Sequence, residues 1–296
     1  MTSAPPVRIV PLDTLPQPGR LAIVAEAVFG AGDRPEGWFA RKLRRECVDT
    51  SLSPVAIDPA VDADDVRGWL GYVLVGTPPS LGDAVRTAGT GVIEAARGRG
   101  IGGALLARAS YLAAAAGYGE LQLLSAPERV SFYERHGLCV AQERVTLVRP
   151  SSGPREQTLP GPGPWNGPWN GPSNGPSNGA APVEPAHVLV QWLPEAWAHT
   201  ESSRRHTIAL PDGFAHVSFE GRALLVHRCV AAGDPVATMQ SLLAALPGGR
   251  AVMLPLTDRV STITRALLEH GWHPIQAATL LRRRLSAPGS TTNRHR

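Results

Sequence analysis

Lysine is almost missing from this sequence: of its 29 Lys and Arg residues, only Lys42 is a lysine. The bias reads as codon usage rather than function. Cysteine is nearly as sparse. Cys47, Cys139 and Cys229 are far apart, odd in number and form no Cys-x-x-Cys pair. Neither a disulfide framework nor a structural zinc site is supported, and no metal is expected. Charge of one sign is not in excess. The 29 basic and 25 acidic residues leave +4, too little for a general nucleic-acid-binding polyelectrolyte. Long apolar runs are missing too. The most apolar stretch, Ile101–Tyr118, is interrupted by Arg108 and Ser110 and falls short of a membrane span. The first eight residues lack the apolar region of a signal peptide. These absences predict a soluble, cytoplasmic chain with no membrane or nucleic-acid partner.

What remains is enough for a core. Hydrophobic residues are 43% of 296, and that length suggests two domains of about 150 residues each. Gly and Pro are concentrated in one place. From Gly163 the chain repeats Gly-Pro-Trp-Asn twice and Gly-Pro-Ser-Asn twice. Pro lacks the backbone donor and Gly maximises chain entropy, so the segment predicts a linker rather than a Trp-based recognition motif. The expected division is a first domain at 1–150, a disordered linker at 151–186, a second domain at 187–286 and a disordered tail at 287–296. The run Arg282-Arg-Arg284 has no aromatic interleaving and reads as a solvated strand end.

In the first half, Val7–Val10 reads as a strand, followed by helices over Leu21–Phe29 and Gly37–Cys47 and strands over Leu52–Ile57, Gly68–Val75 and Thr87–Ile93. Ile101, Leu105, Ala109, Leu112 and Ala116 share one face of a helix. A strand around Leu121 and Leu123 follows. Ser125-Ala-Pro-Glu128 has the pattern of a capping box, opening a helix that Gly137 ends. Val140–Arg149 closes the half as a strand. In the second half, Ala223–Val230, Pro235–Leu246 and Arg250–Leu254 read strand, helix, strand. Residues 134–149 match 268–283 without a gap: His136/His270, Gly137/Gly271, Gln142/Gln276, Leu147/Leu281 and Arg149/Arg283 coincide at an offset of 134. Two copies of one mixed α/β fold, a central mixed sheet flanked by helices, are the simplest account. The two histidines read as helix C-terminal caps.

The chemistry concentrates in Thr90–Gly103, between a strand and a helix. Glycines there let backbone approach a ligand, and the helix start offers unpaired N–H groups. Arg97 and Arg99 add charge, so the turn reads as a phosphate site. Gly98-x-Gly100-x-x-Gly103 formally satisfies a dinucleotide fingerprint, and no Gly-Lys-Ser/Thr follows to make a P-loop.

At this point the sequence resembles the GNAT acetyltransferase superfamily. Its coenzyme signature, Arg/Gln-x-x-Gly-x-Gly/Ala, is matched by Arg97-Gly-Arg-Gly100-Ile-Gly102, and its aromatic pair followed by Gly and an apolar residue by Phe132-Tyr133-Glu-Arg-His-Gly137-Leu138. The resemblance covers about residues 7–149. The Asn that many members carry seven residues before the Tyr is Ala126 here.

The resemblance implies an N-acetyltransferase that takes acetyl-CoA as co-substrate, without a metal, and acts on a small-molecule or peptide amine. The strand at Val92 and Ile93 would hold the pantetheine arm. Arg97, Gly98, Arg99, Gly100, Ile101 and Gly102, with the N–H groups of Gly103 and Ala104, would hold the pyrophosphate. Tyr133 would be the general acid. The base is not identified: Glu94, Glu26, Glu46 and Asp58 are equally weak and a bound water serves as well, while Phe29–Cys47 and Gly76–Asp83 would shape the acceptor pocket. The second copy is expected to be degenerate: the same offset places Asp234 opposite Gly100, Ala231 opposite Arg97 and Leu267 opposite Tyr133. Alternatives are a mycothiol-synthase-like thiol-cofactor enzyme and an acyl-CoA sensor without turnover. Monomer and homodimer both stay open.

Overall fold

A computed structural model describes residues 7–30, 36–150, 187–191, 194–202, 204–211, 213–220, 223–246 and 251–286. The expected linker and tail lie outside the described residues. In chain order the elements are β1 (Arg8–Pro11), α1 (Leu21–Phe29), α2 (Trp38–Arg45), β2 (Val48–Asp49), β3 (Pro54–Ile57), β4 (Trp69–Gly76), β5 (Ala84–Val92), α3 (Ile101–Ala115), β6 (Glu120–Ser125), α4 (Val130–Arg135) and β7 (Cys139–Arg149). The second half adds β8 (His187–Gln191), α5 (Pro194–Ala198), β9 (Arg205–Leu210), β10 (Gly213–Glu220), β11 (Ala223–Ala231), α6 (Pro235–Ala245), β12 (Ala251–Asp258), α7 (Thr262–Glu269) and β13 (His273–Arg284).

The chain divides into two compact units, one of residues 1–142 with 278–296, the other of residues 143–277. These differ from the continuous stretches expected from sequence. The difference lies in the last strand of each copy. Thr279–Arg284 of β13 pair antiparallel with β6 in the first unit, whereas Arg144–Arg149 of β7 pair antiparallel with β12 in the second. Each copy thus completes its sheet with the other's final strand. The recurrent arginines serve this exchange: Arg283 Nη1 donates to the His136 carbonyl at 3.3 Å, and Arg149 Nη1 donates to the His270 carbonyl. A cation on the last carbonyls of a helix satisfies groups that the helix itself cannot.

In the first unit the order is β1-β3-β4-β5-β6-β13, with β2 paired to β4. Among the described residues of this unit, only the β5–β6 pair is parallel. Every residue of β4 is buried, because both faces of the sheet are covered. Tyr72 and Leu74 join the core under α1 and α2, and Val73 and Val75 the core under α3. Alternation along a strand forces this division. The capping box does not form: Ser125 stays in β6 and donates to the Ala126 carbonyl, and α4 follows a short 3₁₀ turn over Pro127–Arg129. Close backbone approach explains two glycines. A Cβ on Gly71 would stand 2.6 Å from the Gly91 carbonyl oxygen, and one on Gly91 2.5 Å from Val28 Cγ1 on α1. Gly71→Ala is therefore expected to destabilise the first unit by about 1–3 kcal/mol, the usual range for overpacking. Thermal unfolding followed by circular dichroism checks this.

In the second unit β9, β10 and β11 form an antiparallel meander, β11 pairs parallel with β12, and β8 pairs antiparallel with β11. One core lies within it, including Leu224, Val226, Met239, Leu242, Leu254 and Trp272.

Candidate active site

The site begins with a divergence of two strands. β5 and β6 pair only at Ala84–Arg86 with Glu120–Gln122, yet β5 runs on to Val92 and β6 to Ser125. Beyond Arg86 the ladder between them stops, which leaves a slot. Along a strand, alternate residues point their N–H and C=O to opposite sides. Ile93 N–H donates to the Leu70 carbonyl on the β4 side at 3.0 Å. Gly91 therefore faces β4 as well, and the backbone of Val92 and Thr90 faces the slot. Of the two residues expected to hold the pantetheine arm, Val92 is placed for it, while the Ile93 N–H is committed to the sheet.

At the end of β5 the chain turns into α3. Gly98 and Gly100 take left-handed backbone conformations, φ +77° and +76°, with nothing within 4 Å of a built Cβ. A residue with a side chain is strained there, which is why glycine is needed. Gly100 is the N-cap of α3 and caps it with no side chain. Ala104 N–H is not a free donor, because it makes the helix's first bond, to the Gly100 carbonyl at 3.1 Å. The N–H groups of Ile101, Gly102 and Gly103 are those without an intrahelical acceptor. Ile101 itself is buried in the core and anchors the turn. Arg97 folds back, its Nε donating to the Val92 carbonyl at 3.2 Å, so it braces the loop against β5. Arg99, half-buried, stands beside it.

α4 closes the other side. Gly102 and Gly103 admit its rings. A Cβ on Gly102 would lie 3.2 Å from Phe132 Cζ, and one on Gly103 would run into the His136 imidazole. His136 was expected only as a helix cap. It does stand at the end of α4, but its ring stacks edge-on against Phe132, 4.7 Å between centroids, and lies over the first turn of α3. His270 behaves as expected, with Nδ1 2.8 Å from the Ala266 carbonyl of its own helix. Tyr133 is 8% exposed and belongs to the α3 core. Burial pushes its phenol pKa above the usual value, against smaller lowering effects of Arg129 and of the Thr90 side chain. Thr90 Oγ1 is buried without a hydrogen-bond partner, and Thr90 is near enough to Tyr133 to act on its phenol. Sequence reasoning missed Thr90. Two-residue alternation back from Val92 would have found it.

The candidate bases are scattered. Glu94 is exposed, opening a 3₁₀ turn after β5; Glu26 is half-buried on α1; Asp58 accepts from Ala60 N–H in a turn. Glu46 caps α2 and forms an ion pair with Lys42, whose Cε lies 3.9 Å from the place of a Cβ at Gly89 on β5. Among the described residues no cluster of three His, Cys, Asp or Glu is arranged to hold a metal ion. No helix among them is long and apolar enough to cross a membrane.

The second unit has the same elements without the site. Eight residues, 93–100, separate β5 from α3, but only three, 232–234, separate β11 from α6. Ala231 therefore ends a strand and is not the counterpart of Arg97, as the constant offset had implied; the phosphate loop is shortened rather than substituted. Asp234 N-caps α6, its carboxylate accepting from Val236 N–H at 2.8 Å, and Pro235 follows. As in the first unit, the parallel ladder covers three residues, Ala223–Leu225 with Ala251–Met253. Here, however, the remainder of β11, Arg228–Ala231, is paired with β8. A cavity in this unit lies between α6 and α7, walled by Met239, Leu243, Leu267 and Trp272, and its lining has no carboxylate, thiol or hydroxyl.

The frame of this site is a mixed sheet whose parallel strands part over a glycine-rich helix start. Residues 60–137 match the acetyltransferase (GNAT) domain family. Solved structures of the same fold include a putative acetyltransferase from Pyrococcus horikoshii, 14% identical, with TM-score 0.59 over 95% of this chain and 90% of that one. A GCN5-related N-acetyltransferase from Kribbella flavida is 16% identical, with TM-score 0.58 over 96% of this chain and 73% of that one. A tandem GNAT protein from the clavulanic acid biosynthesis pathway is 14% identical, with TM-score 0.50 over 94% and 98%. No curated protein sequence matches. The family match thus covers the region of the candidate site, and over nearly the whole chain the fold is that of these solved structures.

Proposed function

We propose that the first unit transfers an acetyl group from acetyl-CoA to a primary amine of a small molecule or peptide, by direct attack and without a metal. The observation that carries this reading is the slot between β5 and β6, ending at the donor-rich first turn of α3. The donor set suits the coenzyme. The Val92 N–H and the Thr90 backbone would serve an amide-bearing arm, and the N–H groups of Ile101, Gly102 and Gly103 would meet a pyrophosphate, with Arg97 and Arg99 adding charge. When bound, acetyl-CoA supplies an activated thioester. Tyr133, kept protonated by burial, delivers a proton to the departing sulfur. The acceptor would enter by α1, α2 and the loop after β4. A cytoplasmic location goes with this reading. Mass spectrometry of products from an amine library incubated with acetyl-CoA tests it: acetylated products support transfer, and their absence alongside tight coenzyme binding supports a sensor.

The chain is expected to bind one coenzyme. In the second unit the strand His187–Gln191 stands where the slot would open, the Asp234 carboxylate occupies the helix start, and the loop is short. Isothermal titration of the full chain with acetyl-CoA should give a stoichiometry near one. A second site would overturn the assignment.

A further inference from the structure

We propose that Thr90 is a positioning residue for the transfer, its hydroxyl donating a hydrogen bond to the phenolate that Tyr133 becomes on protonating the leaving thiolate. This rests on the reading of the first unit as an acetyltransferase. The geometry that carries it is an unmet need. Thr90 Oγ1 is buried in β5 and has no hydrogen-bond partner of normal geometry. A buried polar atom in that state calls for an explanation, since leaving it unpaired is costly. It sits past the last β5–β6 pair, so it borders the slot, and the polar side chain it acts on is Tyr133, itself buried in the core under α3. Thr90 thus brings a buried, unsatisfied hydroxyl to the face of the sheet whose core holds Tyr133.

During transfer the amine nitrogen bonds to the acetyl carbon, and the carbon–sulfur bond breaks with its electron pair on sulfur. The Tyr133 proton moves to that sulfur, and the surplus ammonium proton goes to solvent, which later reprotonates the phenolate. The phenolate is the point of greatest need, because a buried anion is penalised unless hydrogen-bonded. A Thr90 O–H aimed at it meets that need, and a hydrogen bond to a charged group is stronger than one to a neutral group. The direction agrees with the lowering effect of Thr90 on the phenol. The charged and titratable groups around Tyr133 are Arg129, which acts in the same direction from the turn before α4, and His136, which reaches it through Phe132.

The test uses Thr90→Val, which keeps the branched shape, and Thr90→Ser, which restores the hydroxyl. With acetyl-CoA and an amine found by the product screen, Thr90→Val should lower kcat about tenfold. KM for acetyl-CoA should stay within about twofold, the alkaline limb of the pH–rate profile should move up, and Thr90→Ser should recover most of the rate. A rise in KM with kcat unchanged would mean that Thr90 binds coenzyme, and would overturn the proposal. So would unchanged kinetics. An acceptor-independent measurement separates this inference from the transferase reading: carbon-13 tyrosine NMR titration, with the Tyr133 resonance assigned through Tyr133→Phe. Thr90→Val should move the Tyr133 titration to higher pH whether or not any amine is acetylated. An unmoved titration would sink the Thr90 assignment while leaving the transferase reading intact.

Discussion

Gly100→Asp is expected to abolish acetyl-CoA binding while the protein stays folded. Folding survives because Gly100 is exposed, has nothing within 4 Å of a built Cβ, and takes a left-handed conformation that Asp adopts more readily than most residues. Binding does not survive, because the new carboxylate stands at the N-cap of α3, where the phosphates are proposed to sit. Two unit charges about 4 Å apart at an effective dielectric of 20 repel by about 4 kcal/mol, near a thousandfold in affinity. The second unit has a carboxylate at its own helix start, at the end of a shorter loop. Asp234 caps α6 and takes the Val236 N–H that a ligand would need. Gly100→Asn is the control. It has the same size and no charge, so its loss should be smaller. Titration calorimetry reads the affinity and circular dichroism the fold. Retained micromolar binding by Gly100→Asp would remove the α3 turn from the coenzyme site.

The parts of this site legible in sequence are those fixed by local chemistry. Glycines at 98 and 100 announce a turn that side chains strain, and apolar residues spaced three and four apart announce α3. What was not legible depends on partners far along the chain. The segments 134–149 and 268–283 have nearly the same local pattern, so nothing in either one says that its strand completes the other copy's sheet. The Arg149/Arg283 identity was visible, but its meaning needed the His270 and His136 carbonyls beside it. Strand β8 was missed for a similar reason: five residues after a Gly-Pro linker show no turn signal or alternation strong enough to separate them from it. The constant offset failed between β11 and α6, because a sequence echo found at one end of a copy says nothing about loop length at the other. Thr90, Val92 and Ile93 show the same limit at single-residue scale. Which backbone groups face the slot is decided by the pairing with β4, and residue type carries no trace of it.

Tyr133→Phe is expected to keep the fold and the coenzyme affinity while lowering turnover by about 10²–10⁴-fold, the range for lost acid–base catalysis. Packing does not ask for the hydroxyl. The ring fills a core position under α3, its counterpart in the second unit is the buried Leu267, and Phe preserves the ring. The stacking with Phe132, 5.0 Å between centroids, is kept as well. What the substitution removes is a proton donor. The reference pKa of a phenol is near 10, and burial raises it further here, so Tyr133 holds its proton throughout the neutral range. The sign of the pH dependence follows. The active form is the protonated one, so activity should persist as pH rises and fall only when the phenol ionises, later than for an unburied tyrosine. Tyr133→Phe should lose that alkaline limb together with the rate, whereas damage to the fold would lower the rate and leave the limb in place. Turnover and its pH profile, measured where single-turnover experiments show chemistry to be limiting, make the distinction. An unchanged rate under those conditions would assign proton delivery to solvent, and Tyr133 would then be a core aromatic like Phe132.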